Sequence, residues 1–474
     1  MEVLPTPCMA TIAEYLPQLE HGRLCVWLRD TNRVSEQKYR KLTSAVHKEY
    51  VFERVPIPPA VRPVRGMTTE EMMIIRRPHH SNVLDPVSDI QGLKEIAQCL
   101  PNVCTLIVIT RGYYSPDSVY TPSTFMYVLG ASFRSLTSLI LSGQFIFTSG
   151  EQLQPLSQLI TLTELDLYSC VRAAKGKVNR SEESKESSEI SRIYPLAELI
   201  NLQILNLAFC RIGGFDLEPL KTLSKLHTLC LCGTQVESTV GISTLPRLKT
   251  LDLTESGVDV EGGLFLPPSV TDLDLAGCYN GGGLHPFLHD VLSLTRLRLD
   301  SCRVTDHDLD YLSAFNLQSL SFSCIDGESV ITTAGVRSIA SFPSLKELSM
   351  EDVSLTGAGL DALVESGLKL RSLTTSFATL SVEEFARIAE IDTLRTLEVL
   401  WELNTEMLAA LCNLRLQKLK FYCDPHDLVD LSCLASMSTL EKLEIYTDHE
   451  FEPQMDAICT IQHAMPNCKF EIIA

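Results

Sequence analysis

The sequence predicts an α/β solenoid, a horseshoe of stacked short repeats with one parallel sheet on its concave side, preceded by a small helical N-terminal domain. Three observations predict it. The first is a phrase, L-x-x-L-x-L-x-x-C/N/T, which opens at Leu226, Leu248, Val270 and Leu294 as LHTLCLCGT, LKTLDLTES, VTDLDLAGC and LTRLRLDSC. The second is its period of about 22 to 24 residues, enough for one strand and a return segment. A unit that short cannot bury its own apolar side, so neighbours must stack. The third is composition: 45% of residues are apolar and 21% charged, the balance of a folded chain.

Taken in order, residues 1–54 place Ile12, Tyr15, Leu16, Leu19, Leu24, Trp27 and Leu28 at helical spacing, which predicts a small bundle. Residues 55–85 are rich in Pro and Arg. Pro56, Pro58, Pro59 and Pro63 favour extended backbone, so this stretch is expected to be a semi-rigid spacer. The repeats occupy residues 86–474. The phrase recurs from Val103, Leu136, Leu162 and Leu202 before the four clear units, and from Leu317, Leu345, Leu370, Leu394, Leu416 and Leu440 after them. That makes about fourteen strands, with CKFEIIA from Cys468 as a last capping strand. One interval, Leu162 to Leu202, is about 40 residues long. Its excess, residues 172–192, is charged and Ser-rich and has too little apolar surface to order itself, so a flexible insertion is expected.

Strand geometry sends places one, four and six of the phrase into the core and the residues between them to the concave face. The ninth place turns the chain away. Cys170, Cys210, Cys278 and Cys302 stand there, where a thiol can satisfy turn backbone groups. The return segments from Val304, Ile331 and Leu355 each set a Thr before an apolar helical pattern, the arrangement of an N-cap.

The phrase and its period are those of leucine-rich repeats. SCRVTDHDLDYL, residues 301–312, is similar to the cysteine-containing class of that repeat, with Asp308 where the class has Gly. The segment before the repeats resembles an F-box: Leu4-Pro5, then IAEYL, then LCVWLRDTNRV, with YVFERVPI as an aromatic-plus-basic tail. The chain thus resembles an F-box protein with leucine-rich repeats. That resemblance implies that Leu4, Pro5, Ile12, Leu16 and Trp27 bind a Skp-type adaptor of a cullin ubiquitin ligase, the concave face holding a client protein. The alternative is a non-catalytic scaffold subunit of a cytoskeletal, flagellar or ribonucleoprotein assembly, its N-terminal helices only capping the solenoid.

The formal charge is -19, from 40 Lys plus Arg against 59 Asp plus Glu. Such a chain repels phosphate backbones unless it carries a local basic patch, so nucleic acid is not the expected partner. Neither a secretory signal nor a membrane-spanning run is read, and the 16 cysteines fit a reducing compartment, cytoplasm or nucleus. The search for phosphate-loop, zinc-protease and nucleophile-elbow motifs yields nothing, and the C-x-C of Cys230 and Cys232 lacks a second ligand pair. No enzyme, cofactor or metal is expected. The candidate contacts with a protein partner lie on the concave face. They are an acidic and amide row of Asp166, Asn206, Asp252 and Asp274, then Arg296 and Arg298, then Glu351, then Phe377, Leu400, Trp401, Tyr422 and Tyr446. Aromatics gathered on a rigid surface are the usual anchors of an interface.

Overall fold

The computed structural model describes the segments 24–28, 52–54, 71–77 and 103–110. From 123 onward it describes the chain except 142–146, 148, 172–192, 215–216, 259–263, 279–283, 285–287, 324–330, 377–379, 424–429, 447–460 and 474. The chain divides into two compact units, Met1–Cys230 and Leu231–Ala474.

All fourteen expected strands form, five in the first unit and nine in the second. Register follows the phrase. Asp272, Leu273 and Asp274 lie beside Arg296, Leu297 and Arg298, and the same place-to-place pairing runs on to Lys442–Tyr446 beside the capping strand Lys469–Ile473, broken only at strand ends where bulges set Ser354 beside Ser376 and Glu402 beside Tyr422. The leucines of places one, four and six are sealed, as Leu248, Leu251 and Leu253 show with no exposed surface. Each such burial contributes about 2 kcal/mol, and the repetition fixes the strand frame. These are leucine-rich repeats stacked through a parallel sheet.

The return segments differ between the units. In the first, after the α-helix Ser123–Ser132, they are built on short 3₁₀ turns, Gln154–Gln158, Tyr194–Glu198 and Glu218–Thr222, each with Pro155, Pro195 or Pro219 in its opening turn, where a missing N–H is harmless. In the second they include α-helices such as Asp306–Leu312, Thr333–Ala340 and Gly357–Glu365, capped by Thr305, Thr332 and Thr356. Asp308, in the place of the usual Gly, is buried. One of its oxygens accepts from the Leu284 N–H at 2.9 Å, and the other from the Thr305 N–H and hydroxyl at 2.9 and 2.7 Å.

Two expectations for the N-terminal segments are corrected. Leu24–Leu28, expected within a helix, is a strand antiparallel to Glu71–Arg77, with Phe52–Arg54 parallel to it. Glu71–Arg77, expected as spacer, pairs in parallel with Val103–Thr110. Both runs are dense in Val, Ile, Trp and Met, and an available sheet edge overrides the three-and-four spacing that suggested a helix. Leu4, Pro5, Ile12 and Leu16 lie outside the described residues, as does the insertion 172–192. Trp27 is described only by its backbone. No helix among the described residues is long and apolar enough to cross a membrane.

Candidate partner-binding face

The sheet face opposite the return helices carries places three, five and seven of each repeat. The fifth place does more than display charge. Asp252 and Asp274 each bend one carboxylate oxygen back onto the N–H two residues on, Thr254 and Ala276, both at 3.0 Å. In the first unit Asp166 accepts from Tyr168 at 2.8 Å and Asn206 from Ala208 at 2.9 Å, while the Asn206 Nδ2 donates to the second oxygen of Asp166 at 3.0 Å. These are Asx turns. They lead into a left-handed eighth place: Ser169, Phe209, Glu255 and Gly277 have φ of 54°, 55°, 51° and 70°. Burial pushes the carboxyls of Asp166 and Asp274 above the usual aspartate value, in Asp274 against the pull of its turn N–H and of Arg298. One oxygen of each residue in the expected recognition row therefore holds the fold.

At the ninth place the thiols form a ladder. Cys170, Cys210, Cys278 and Cys302 donate to the sixth-place carbonyl of the preceding repeat: Leu141 at 3.4 Å, Leu167 at 3.0 Å, Leu253 at 2.7 Å and Leu275 at 3.2 Å. Burial holds the Cys210 and Cys278 thiols above their usual value, so they remain donors. None of the ten cysteines whose side chains are described is in a disulfide. Among the described residues no group of three or more His, Cys, Asp or Glu gathers closely enough to hold a metal ion.

Three zones follow along the face of the second unit. In the first, Arg296 grips Asp272 with two nitrogens, and Arg298 reaches Asp274 at 3.0 Å and Asp300 at 2.8 Å. Ser321 donates to Asp300 at 2.7 Å. Arg296 and Arg298 are thus engaged by carboxylates of their own sheet. The second zone is of small hydroxyl side chains, Ser319, Ser321, Ser349, Ser372, Thr374 and Ser376. Glu351 stands exposed at its border. The third zone is a lattice in which Lys418 meets Glu398 at 2.7 Å and Glu444 at 3.4 Å, and Lys442 meets Glu444 at 2.5 Å and Glu471 at 3.4 Å. The Lys442 hydrogen bond, ahead of Lys418, holds the Glu444 carboxyl below its usual value.

Beside that lattice the aromatics gather. The Tyr422 and Tyr446 rings lie 5.2 Å apart at 32°, with the Lys420 ammonium 4.6 Å from the centre of Tyr446. Trp401 is 48% exposed and Leu400 half-buried on the strand Thr396–Glu402. Phe377 lies outside the described residues. The structure also shows contributors that the sequence reading passed over. Asp272 and Asp300 complete the arginine zone; Asp272 stands at the same place as Arg296 one repeat earlier, and Asp300 follows Arg298 by two residues in one repeat. In the first unit, exposed Tyr168 and Phe209 meet edge to face at 5.4 Å.

No protein-family model matches the chain, and no curated protein matches it in sequence. Solved structures do resemble it. An internalin from Listeria monocytogenes is 16% identical, covering 73% of this chain and 84% of its own, with a TM-score of 0.37. TLR13 in its complex with ssRNA13 is 16% identical, covering 66% of this chain and 49% of its own, with a TM-score of 0.41. A leucine-rich repeat protein of Leptospira interrogans is 14% identical, covering 84% of this chain and 88% of its own, with a TM-score of 0.34.

Proposed function

We propose that the chain is a non-catalytic adaptor that holds a protein partner on the sheet face of its second unit. The observation that carries this is Trp401, exposed on the strand next to the one that carries Tyr422, whose ring packs on Tyr446. Neighbouring charges neutralise one another, so the aromatics remain as the groups with most to gain from being covered. The thiol ladder, which works only with reduced cysteines, supports a reducing compartment, cytoplasm or nucleus. The test is affinity purification of tagged wild type beside Trp401→Ala and Tyr446→Ala. A shared set of proteins lost from both variants, at unchanged melting temperature, supports the reading. Equal recovery sinks it.

What the adaptor serves has two versions. The F-box resemblance of residues 4–57 supports a substrate-recognition subunit of a cullin ubiquitin ligase, docked through Leu4, Pro5, Ile12 and Leu16 to a Skp-type adaptor. The other version, a scaffold subunit of a larger assembly, is favoured by the strand Leu24–Leu28, which joins the N-terminal segment through Glu71–Arg77 to the first repeat. A pull-down with a Skp-type adaptor separates them. Recovery that falls when Leu4 and Pro5 are both changed to Ala supports the ligase; no recovery by the full chain leaves the scaffold.

A further inference from the structure

The cations of the sheet face are paired with carboxylates, whereas among the described residues those at the edge where the same strands begin have no carboxylate partner, Lys346 donating only to the Gln318 Oε1 at 3.3 Å. Place two of three successive repeats holds Lys346, Arg371 and Arg395. They are ladder neighbours: the Arg371 N–H donates to the Lys346 carbonyl at 2.7 Å, and the Arg395 N–H to the Arg371 carbonyl at 2.8 Å. Strands in a sheet are about 4.8 Å apart, so the three backbones fall within about 10 Å. Lys369 and Arg415 stand two residues before Arg371 and Gln417. In a chain of charge -19 this is a local basic edge.

It surrounds a hollow of about 520 Å³ whose lining includes Arg371, Arg395, Ser372, Thr396, Gln417 and Glu347. Among the described residues the Arg371 guanidinium has no ion-pair or hydrogen-bond partner. Arg395 donates only to the carbonyls of Asp392 and Leu394, at 3.0 and 2.7 Å. The Arg371 guanidinium, with the donors that Arg395 keeps spare and two hydroxyls facing one hollow, can meet an acceptor there, and a guanidinium fork matches a planar or tetrahedral oxyanion. Glu347 opposes a bare anion there. It suits an oxyanion carried beside a donor group, as on a peptide.

We infer that this hollow binds an oxyanion side chain, carboxylate or phosphate, of a partner protein. A nucleic acid strand fits poorly, because beyond three repeats it would run into the acidic remainder of the chain. The inference rests on the reading of the chain as a protein-binding adaptor, but not on the Trp401 cluster at the other end of the strands.

The test is fluorescence anisotropy of the full chain with three degenerate nine-residue peptide libraries, carrying a central phosphoserine, glutamate or serine. An anionic library should bind at least about ten-fold tighter than the serine library, and Arg371→Glu should remove that preference. Arg337→Glu, the same charge change on an exposed helix, should leave it intact. The tighter anionic library identifies the oxyanion. Trp401→Ala should bind the libraries as wild type does even where it loses the partner, so the failure of either idea is distinguishable. No anionic preference, equal loss in both arginine variants, or Arg371-dependent binding that is tighter to an oligothymidine or an anionic vesicle overturns the proposal.

Discussion

Place eight of the repeats from Leu162 to Leu294 has a left-handed backbone, and glycine meets that need in Gly277 at φ 70° while Glu255 meets it with a side chain at 51°. A side chain there costs about 1–2 kcal/mol, and a glycine returns part of that in chain entropy, about 0.5–1 kcal/mol. Glu255→Gly should therefore stabilise by roughly 0.5–1 kcal/mol, whereas Gly277→Ala should destabilise by about 1 kcal/mol, both read from urea midpoints. Phe209→Gly should come out near neutral, because the lost ring contact with Tyr168, about 0.5–1.5 kcal/mol, offsets the relief. The fifth place carries a pH signature. The carboxyls of Asp166 and Asp274 are raised from the ordinary 3.8, so the folded chain holds their protons more firmly than the unfolded one. Their contribution is greatest below that ordinary value and is lost as pH rises through the folded value. The stability of Asp274→Asn relative to wild type should rise over that acid window and then level off, as denaturation at a series of pH values will show. The strand-end acids were visible in the sequence, but their double use was not: an Asx turn is made by a main-chain N–H, which no residue letter reports.

The strands were legible because the leucines that define them recur at one period, and burial of places one, four and six leaves a single register. The helix N-caps Thr305, Thr332 and Thr356 were legible for a similar reason, a hydroxyl residue ahead of an apolar pattern. Pairs such as Asp272 with Arg296 were legible only at one remove, since the partners lie 24 residues apart and meet only through that register. Leu24–Leu28 misled because its spacing suits a helix while its composition suits a strand, and pairing with Glu71–Arg77 decided the matter. The capping box at Thr305 and Asp308 gives the sharpest prediction for an element. Asp308→Ala removes the acceptor of three hydrogen bonds and orphans the N–H of Leu284 inside the protein. It should cost about 3 kcal/mol, several times the roughly 1 kcal/mol expected of Thr305→Ala. Equal midpoints for the two variants would contradict this ranking.

Over the whole molecule, the excess of 59 acidic over 40 basic residues sets charge repulsion against the ion-pair lattices of the sheet face. Exposed pairs contribute about 0–1 kcal/mol each and are screened by the same salt that quiets the repulsion. With an unbalanced charge of -19 the repulsion dominates, so raising sodium chloride from about 10 to about 150 mM should raise the urea midpoint; a fall would show the lattices to be the larger effect. Within the second unit one repeat is tied on both sides. Asp308 accepts from Leu284 of the turn before it, and Asp306 accepts from the Thr332 N–H and hydroxyl of the helix after it, at 2.8 and 2.5 Å. Two acids in one turn of helix act as rivets driven in opposite directions. Under a mechanical load drawn along the stack, tension would pass through this repeat as through a splice, and neighbours joined by sheet bonds and packing alone would part first.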